Sequence, residues 1–419
     1  CIVISSNAVF LEHLINAAEL TYSRTPFLSQ FYYSCILNDL LSFQVMDEAR
    51  KRQRLEPSLH LVEDSEFIKI AESTKNAFLN PAIIGEQQAQ ASKNLVRLDY
   101  GENCLPAPPE MKQLLFEAFT HQTIPVEDCD PKEEIIKLMS SLWSLPSTGN
   151  IQCILSGGVA PIFSEIAQHC ARNKERILFP HGAYGYFVAS AEFHGATVEK
   201  INTDEKRGFK IKAAHLKEIL EKNKTISWIV LSAPIVNPTG AIYTAEEIKE
   251  IADVASNYQA ILVLDSIFSG LGFFGEEEII KSDVLGTTRW LILGGVSKEF
   301  AAGGLRIGYA LSSNPQLMSV LKPCELTAPH KTLSFVLKKL YRNKLQMRGS
   351  LEQQRVQLKD RAAVLTKILN DAGWRVLPPR GGLFLIATPE RLLGKSYNGI
   401  ELTIQNVAQL LREQYGLAI

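Results

Sequence analysis

The sequence predicts an α/β protein with a mostly parallel central sheet, helices on both faces, and a small α+β unit at the C-terminal end. Three observations carry this expectation. Between residues 108 and 311, short runs rich in Ile, Val and Leu alternate with amphipathic stretches of 10 to 15 residues, the mark of repeated βαβ units. Most of the short runs are largely apolar, as in strands buried on both faces. After about Leu326 the pattern shifts to long helices and short strands.

In chain order, apolar spacing of three and four predicts helices over 108–120 and 131–143. Strands are predicted over 151–155, 176–179, 197–201, 227–231 and 260–265, with two more over 290–293 and 306–311. Helices over 161–172, 213–222 and 245–257 fall between them, with a further one containing 190–194 and stopped by Gly195. The closing unit reads as helices over 333–347 and 351–372, then short elements at 375–377, 381–387 and 404–414. This divides the chain into a large domain over 96–325 and a small one over 326–419.

Residues 46–95 read as a connector, with a solvated charge run from Asp47 to Arg54 and a glutamine-rich stretch at 86–93. Residues 1–45 contain an echo of a later segment. Ile4-Ser5-Ser6-Asn7, Ala18-Glu19-Leu20-Thr21 and Leu28-Ser29 recur as Leu311-Ser312-Ser313-Asn314, Cys324-Glu325-Leu326-Thr327 and Leu333-Ser334. One reading is chance likeness between two helix-loop-helix segments. The other is that 1–45 is the tail of a preceding, homologous domain. Together with the opening at Cys1, the echo favours a segment of a longer polypeptide.

Composition narrows the function. The 419 residues are 46% hydrophobic and 21% charged, enough apolar material for a sizeable core. Lys plus Arg number 44 against 45 Asp plus Glu, so attraction to nucleic acid through bulk positive charge is excluded. No apolar run approaches the ~20 residues of a membrane helix. Seven cysteines lack any Cys-x-x-Cys pair and the histidines lack His-Glu-x-x-His, so no metal site is expected. The cysteine usage suits a reduced, cytoplasmic compartment.

Ligands in open α/β sheets sit beyond the carboxyl ends of the strands, so polar exceptions there are informative. After strand 151–155 comes Ser156-Gly157-Gly158-Val159-Ala160, a glycine turn before a helix N-terminus that suits a phosphate and lacks the Lys of a Walker loop. After 227–231 comes Ala233-Pro234-Ile235-Val236-Asn237-Pro238-Thr239-Gly240, where two prolines stiffen the loop presenting Asn237. Strand 260–264 ends in Asp265, a carboxylate that needs a cationic partner if buried. After 290–293 comes Gly294-Gly295-Val296-Ser297-Lys298, with Arg306 eight residues on. A lysine at a glycine-lined strand end suits an amine nucleophile, and the arginine suits an oxyanion. Gly270-Leu271-Gly272-Phe273-Phe274-Gly275 imitates a dinucleotide fingerprint, but Glu276-Glu277-Glu278 follows and would repel a pyrophosphate.

Taken together and in this order, these residues resemble the fold-type I pyridoxal-phosphate enzymes, the class I/II aminotransferases above all. The resemblance runs from about Leu95 to the end. It implies that Lys298 is the Schiff-base lysine and proton shuttle, and that Asp265 partners the pyridinium nitrogen of pyridoxal 5'-phosphate. It implies that Asn237 donates to the ring 3-oxygen and that Tyr184, in Pro180-His181-Gly182-Ala183-Tyr184, stacks on the ring. Arg306, Ser297 and the Gly157-Gly158 amides would take the phosphate. Two positions depart from the family. Phe268 stands where a tyrosine usually supports the 3-oxygen, and Gly295 where a second hydroxyl usually meets the phosphate.

A closer resemblance is to the C-terminal part of the plant methionine S-methyltransferases. It rests on Ser269-Gly270-Leu271, Gly294-Gly295-Val296-Ser297, Gly303-Gly304, Pro329-His330-Lys331-Thr332, Ala372-Gly373-Trp374 and Gly416-Leu417-Ala418-Ile419. It implies upstream methyltransferase and aminotransferase-like domains in the same polypeptide, with S-adenosylmethionine bound only upstream. The whole would convert methionine to S-methylmethionine. It also implies an amino acid substrate and either a homo-oligomer or a pseudo-dimer with the upstream copy. A free-standing aminotransferase and a non-catalytic scaffold remain the alternatives.

Overall fold

The computed structural model describes residues 96–99, 101–120, 129–145, 150–274 and 283–419. The expectations for 1–45 and 46–95 lie outside these residues.

The chain enters through β1 (Val96–Arg97) and two helices, α1 (Pro109–Thr120) and α2 (Lys132–Leu142). Alternating elements follow: β2 (Gln152–Ser156), α3 (Val159–Asn173), β3 (Arg176–Pro180), α4 (Gly185–Phe193), β4 (Thr197–Ile201) and α5 (Ala213–Lys222). Next come β5 (Ile226–Ser232), α6 (Ala245–Asn257), β6 (Ile261–Asp265), β7 (Arg289–Gly295) and β8 (Gly308–Ser312). The boundaries follow local chemistry. Thr244 and Glu247 form a reciprocal capping box at the start of α6. Asn314 caps α7 (Pro315–Val320) through the amides of Gln316 and Leu317.

Seven strands form one sheet in the order β2-β8-β7-β6-β5-β3-β4. Only β8 runs against its neighbours, so the other six strands share a direction. The carboxyl ends of β2, β3, β5, β6 and β7 therefore lie along one edge of the sheet. β6 is buried along its whole length, which is why it reads as an unbroken apolar run. On one face, Phe163, Phe179, Phe187, Trp228, Val263 and Leu293 join a single apolar cluster. Phe163 stacks on Phe187 with ring centres 4.3 Å apart. Each such fully buried side chain contributes roughly 1.5–3 kcal/mol.

The C-terminal elements are α8 (Lys331–Arg342), α9 (Arg348–Asp371), β9 (Arg375–Leu377), β10 (Ile386–Thr388), β11 (Ser396–Tyr397), β12 (Ile400–Glu401), α10 (Ile404–Tyr415) and β13 (Leu417–Ala418). Some details differ from the sequence expectation. The helix expected over 333–347 ends at Arg342, and a turn at 343–347 directs Lys344 Nζ onto the buried Glu299 at 2.8 Å. The element expected over 381–387 narrows to β10, because Gly381 bridges Gly272 and Gly382 takes a left-handed φ of 81°. A β11–β12 hairpin was not anticipated. Its turn, Asn398-Gly399 with φ of 50° and 78°, is the Asn-Gly signature of a primed turn. β13 pairs in parallel with β1, joining the two ends of the described region.

Candidate active site

The strand-end residues singled out in the sequence come together along the shared edge. Asp265 ends β6, opposite Ser232 of β5 and Leu293 of β7, and is only 4% exposed. Burial pushes its carboxyl up to about 6, against the pull of the Ile267 N–H and of Lys298. Lys298 lies in the turn after β7. Burial lowers its amine below the usual lysine range; Glu102 opposes that shift, Arg306 adds to it, and Asp265 opposes it. Its Nζ stands 6.0 Å from the centre of the Phe268 ring.

The glycine turn and Arg306 also meet. Gly158 precedes α3 with φ of 113°, a conformation suited to glycine. A Cβ at Gly158 would lie 2.7 Å from Arg306 Nη2, so the guanidinium rests in the space a side chain would fill. Arg306 is itself left-handed (φ 52°), and its Nη1 donates to the Gly303 carbonyl at 3.3 Å. Ser297 lies beside Gly303, 3.9 Å from where a Cβ would stand there. The Gly157 N–H is directed elsewhere: it donates to Thr327 Oγ1 at 3.2 Å, and Ser156 Oγ lies 3.1 Å from the same oxygen.

The Asn237 loop has cis peptides before Pro234 and Pro238. Its backbone is held where Ser232 Oγ accepts the Asn237 N–H at 3.2 Å. Asn237 lines a hollow together with Ile235, Phe268, Leu383 and Phe384. Tyr184 caps the start of α4, beyond the end of β3 on the same edge. It is 47% exposed and meets Phe187 edge-on, with ring centres 5.3 Å apart.

Both departures have visible structural settings. Phe268 is buried and shares an apolar cluster with Ile235, Ile267 and Leu271. Gly295 faces Gly308 across the sheet, and a Cβ there would lie 2.5 Å from the Ile307 carbonyl oxygen. The imitation dinucleotide motif is filled rather than open. Gly270 (φ 88°) has the Glu299 carboxylate where its Cβ would be, and Gly272 bridges Gly381.

Two polar partners of this site escaped the sequence. Asn103 Nδ2 donates to the Lys298 carbonyl at 2.9 Å, and Thr327 Oγ1 takes the Gly157 N–H. Both pairs join positions 170 or more residues apart in sequence, and no local spacing reveals such contacts. Among the described residues, no group of three or more His, Cys, Asp or Glu could hold a metal ion, and no helix is long and apolar enough to cross a membrane.

The arrangement offers a half-buried amine, a buried carboxyl, an apolar hollow edged by Asn237 and an arginine against a glycine turn. The chain is similar to several known proteins. Residues 93–419 match the family described as aminotransferase class I and II. The methionine S-methyltransferase of Wollastonia biflora is 28% identical over 408 residues, covering 94% of this chain and 37% of that protein. That of Zea mays is 28% identical over 436 residues, covering 99% and 39%. The chain thus spans about two fifths of the length of these relatives. Among solved structures, Thermus thermophilus aspartate aminotransferase with maleate superposes with a TM-score of 0.65 at 19% identity, covering 88% of this chain and 90% of that one. Escherichia coli YbdL, described as having a methionine aminotransferase function, superposes with a TM-score of 0.66 at 15% identity, covering 81% and 87%. The fold is fold-type I, and the chain belongs to the class I and II aminotransferases.

Proposed function

We propose that residues 96–419 bind pyridoxal 5'-phosphate and transfer an amino group from an amino acid, as a segment of a methionine S-methyltransferase-like polypeptide. The observation that carries the reading is the meeting of Lys298, Asp265 and Phe268 at the carboxyl ends of adjacent strands β6 and β7. The residues fit the group. A buried carboxyl whose burial outweighs the cations near it suits a pyridinium N–H. A glycine turn packed against a guanidinium suits a phosphate.

Bound there, the cofactor would supply an electron sink for a carbanion at the substrate's α-carbon. The chain's residues do the rest. Asp265 would hold the proton on the ring nitrogen. Lys298, its amine lowered below the usual lysine range by burial, would anchor the carbonyl carbon and then move the α-proton. Asn237 would orient the ring through its 3-oxygen, Tyr184 would stack on it, and Arg306, Ser297 and the Gly158 amide would hold the phosphate. The Gly157 amide, occupied by Thr327, is the weaker candidate of the glycine pair.

The names of the relatives support methionine or S-methylmethionine as substrate, with methyl transfer from S-adenosylmethionine carried out in an upstream domain. The free thiols of the buried cysteines suit a cytoplasmic setting. The large and small domains would divide near residues 325 and 326. A pseudo-dimer with an upstream homologous domain would complete the site.

Protein mixed with pyridoxal phosphate should turn yellow and retain the absorbance through gel filtration. Lys298→Ala should abolish that absorbance, and an unchanged spectrum in the variant sinks the assignment. Methionine or S-methylmethionine should then shift the spectrum in a single turnover. Phe268 and Gly295 favour the second reading, a scaffold that retains the cofactor fold. Under it the spectrum stays put, while deleting 96–419 from the full-length protein changes methyl transfer.

A further inference from the structure

We infer that Asn103 is a positioning residue for Lys298, gripping the lysine's own backbone carbonyl and tying it to Gln354 on α9. The inference rests on the reading of Lys298 as the reactive amine. Asn103 Nδ2 donates to the Lys298 carbonyl at 2.9 Å and to Gln354 Oε1 at 3.2 Å. Its Oδ1 accepts the Leu105 N–H at 3.1 Å. Both donors and the acceptor of one amide are used, and the Leu105 N–H fixes which end carries the oxygen.

Gln354 is itself held. It is 6% exposed, and its Nε2 donates to the Pro106 carbonyl at 3.1 Å. Lys298, Asn103, Gln354 and Pro106 thus form a closed polar bracket between the turn after β7, the segment before α1, and α9. Gln354, the buried member, is satisfied through both ends of its amide, which fixes the bracket at α9. The Lys298 carbonyl takes a second donor, the Ala301 N–H at 3.3 Å. A peptide held by two donors sets where a long, flexible lysine stem begins, and so where its amine can reach.

The bracket also sets the charges around that amine. The groups that face Lys298 are Glu102, next in sequence to Asn103, Arg306 after the glycine turn, and Asp265 at the end of β6. If the Asn103 segment moves, Glu102 moves with it and the lysine gains water. Gained water raises the amine toward the usual lysine range and leaves less of the free amine that attacks a carbonyl; the retreat of Glu102 works against that rise, but burial is the larger influence.

The test uses cofactor-free protein. Lys298 is labelled with an amine-reactive acylating reagent across pH, and its modified peptide is quantified by mass spectrometry. The midpoint of the pH–rate curve reads the amine. Asn103→Leu, which removes both ties without adding a charge, should raise that midpoint by about one pH unit. Gln354→Met, which keeps volume and removes the second tie, should raise it in the same direction by less. Ser350→Ala removes a different tie between α9 and α1, the 2.8 Å bond to Glu110, and should leave the midpoint unmoved. An unmoved midpoint in both Asn103→Leu and Gln354→Met overturns the inference. So does an equal shift in Ser350→Ala, which would mark general loosening. If Asn103→Leu does not fold, Gln354→Met against Ser350→Ala decides alone. Failure of the parent protein to colour with pyridoxal phosphate would instead overturn the proposed function, leaving the labelling result intact.

Discussion

Lys298 Nζ faces the ring of Phe268 at 6.0 Å from its centre. The position that lacks the expected hydroxyl is therefore beside the amine, and it lines the hollow that Asn237 also lines. Phe268→Tyr should place an O–H in that hollow. A hydrogen bond to a charged oxygen is worth about 1.5–3 kcal/mol, or roughly one to two decades in rate if it acts only in the transition state. Stopped-flow spectra of the loaded variant with methionine should show the faster half-reaction. An unchanged rate with the visible spectrum intact would mean that the ring's far edge does not look onto the cofactor.

The second missing hydroxyl cannot be restored so simply. At Gly295 an added Cβ meets the Ile307 carbonyl oxygen at 2.5 Å and Ile267 Cδ1 at 3.1 Å. The first contact is backbone, so a strand must shift. Gly295→Ser should destabilise the protein by about 1–3 kcal/mol, as other overpacked cores do. Urea denaturation measures it, and a variant as stable as the parent would show that β7 and β8 can separate at no cost.

Asp265 gives a dependence on pH whose sign follows from burial. Its folded-state value, about 6, lies above the ordinary 3.8, so the folded protein binds its proton more tightly than the unfolded chain. The stability it confers is present below about pH 4 and is lost as pH rises toward 6. The loss is about 2–3 kcal/mol in cofactor-free protein, at 1.36 kcal/mol per pH unit. Asp265→Asn should remove it. Melted without cofactor, the variant should be the more stable above pH 6 and equal to the parent near pH 4. Adding pyridoxal phosphate should reverse the order above pH 6, since only the carboxylate pairs with a cation.

Much of this was legible because it is local. Ile261, Leu262, Val263 and Leu264 announce a strand buried on both faces, and the polar residue that ends it, Asp265, stands out against them. Thr244 with Glu247 announces the start of α6. The illegible parts depend on partners distant in sequence. The antiparallel β8 reads like its parallel neighbours, since burial sets its composition whatever its direction. The early end of α8 follows from Lys344 reaching Glu299, 45 residues away. Asn398-Gly399 is the exception: a strong local turn signal whose flanking strands, two residues each, are too short to show a period of two.

That contact between Lys344 and Glu299 supports the last prediction. Glu299 follows Lys298 directly and is 8% exposed; its Oε2 takes Lys344 Nζ at 2.8 Å, while Oε1 fills the space above Gly270. Both side chains are largely out of water, at 16% and 10% exposure, so the pair is screened far less than a surface bridge. Lys344→Met keeps the stem on Phe300, whose ring centre lies 5.7 Å from the ammonium, but strands a buried carboxylate. The expected cost is about 2–4 kcal/mol. Glu299→Gln keeps the volume and needs no counter-charge, so adding it to Lys344→Met should recover about 1–3 kcal/mol. A double-mutant cycle by urea denaturation reads that coupling directly. Additive losses would place the pair with ordinary surface bridges, and the turn at 343–347 would then owe its position to the burial of Met347 rather than to Lys344.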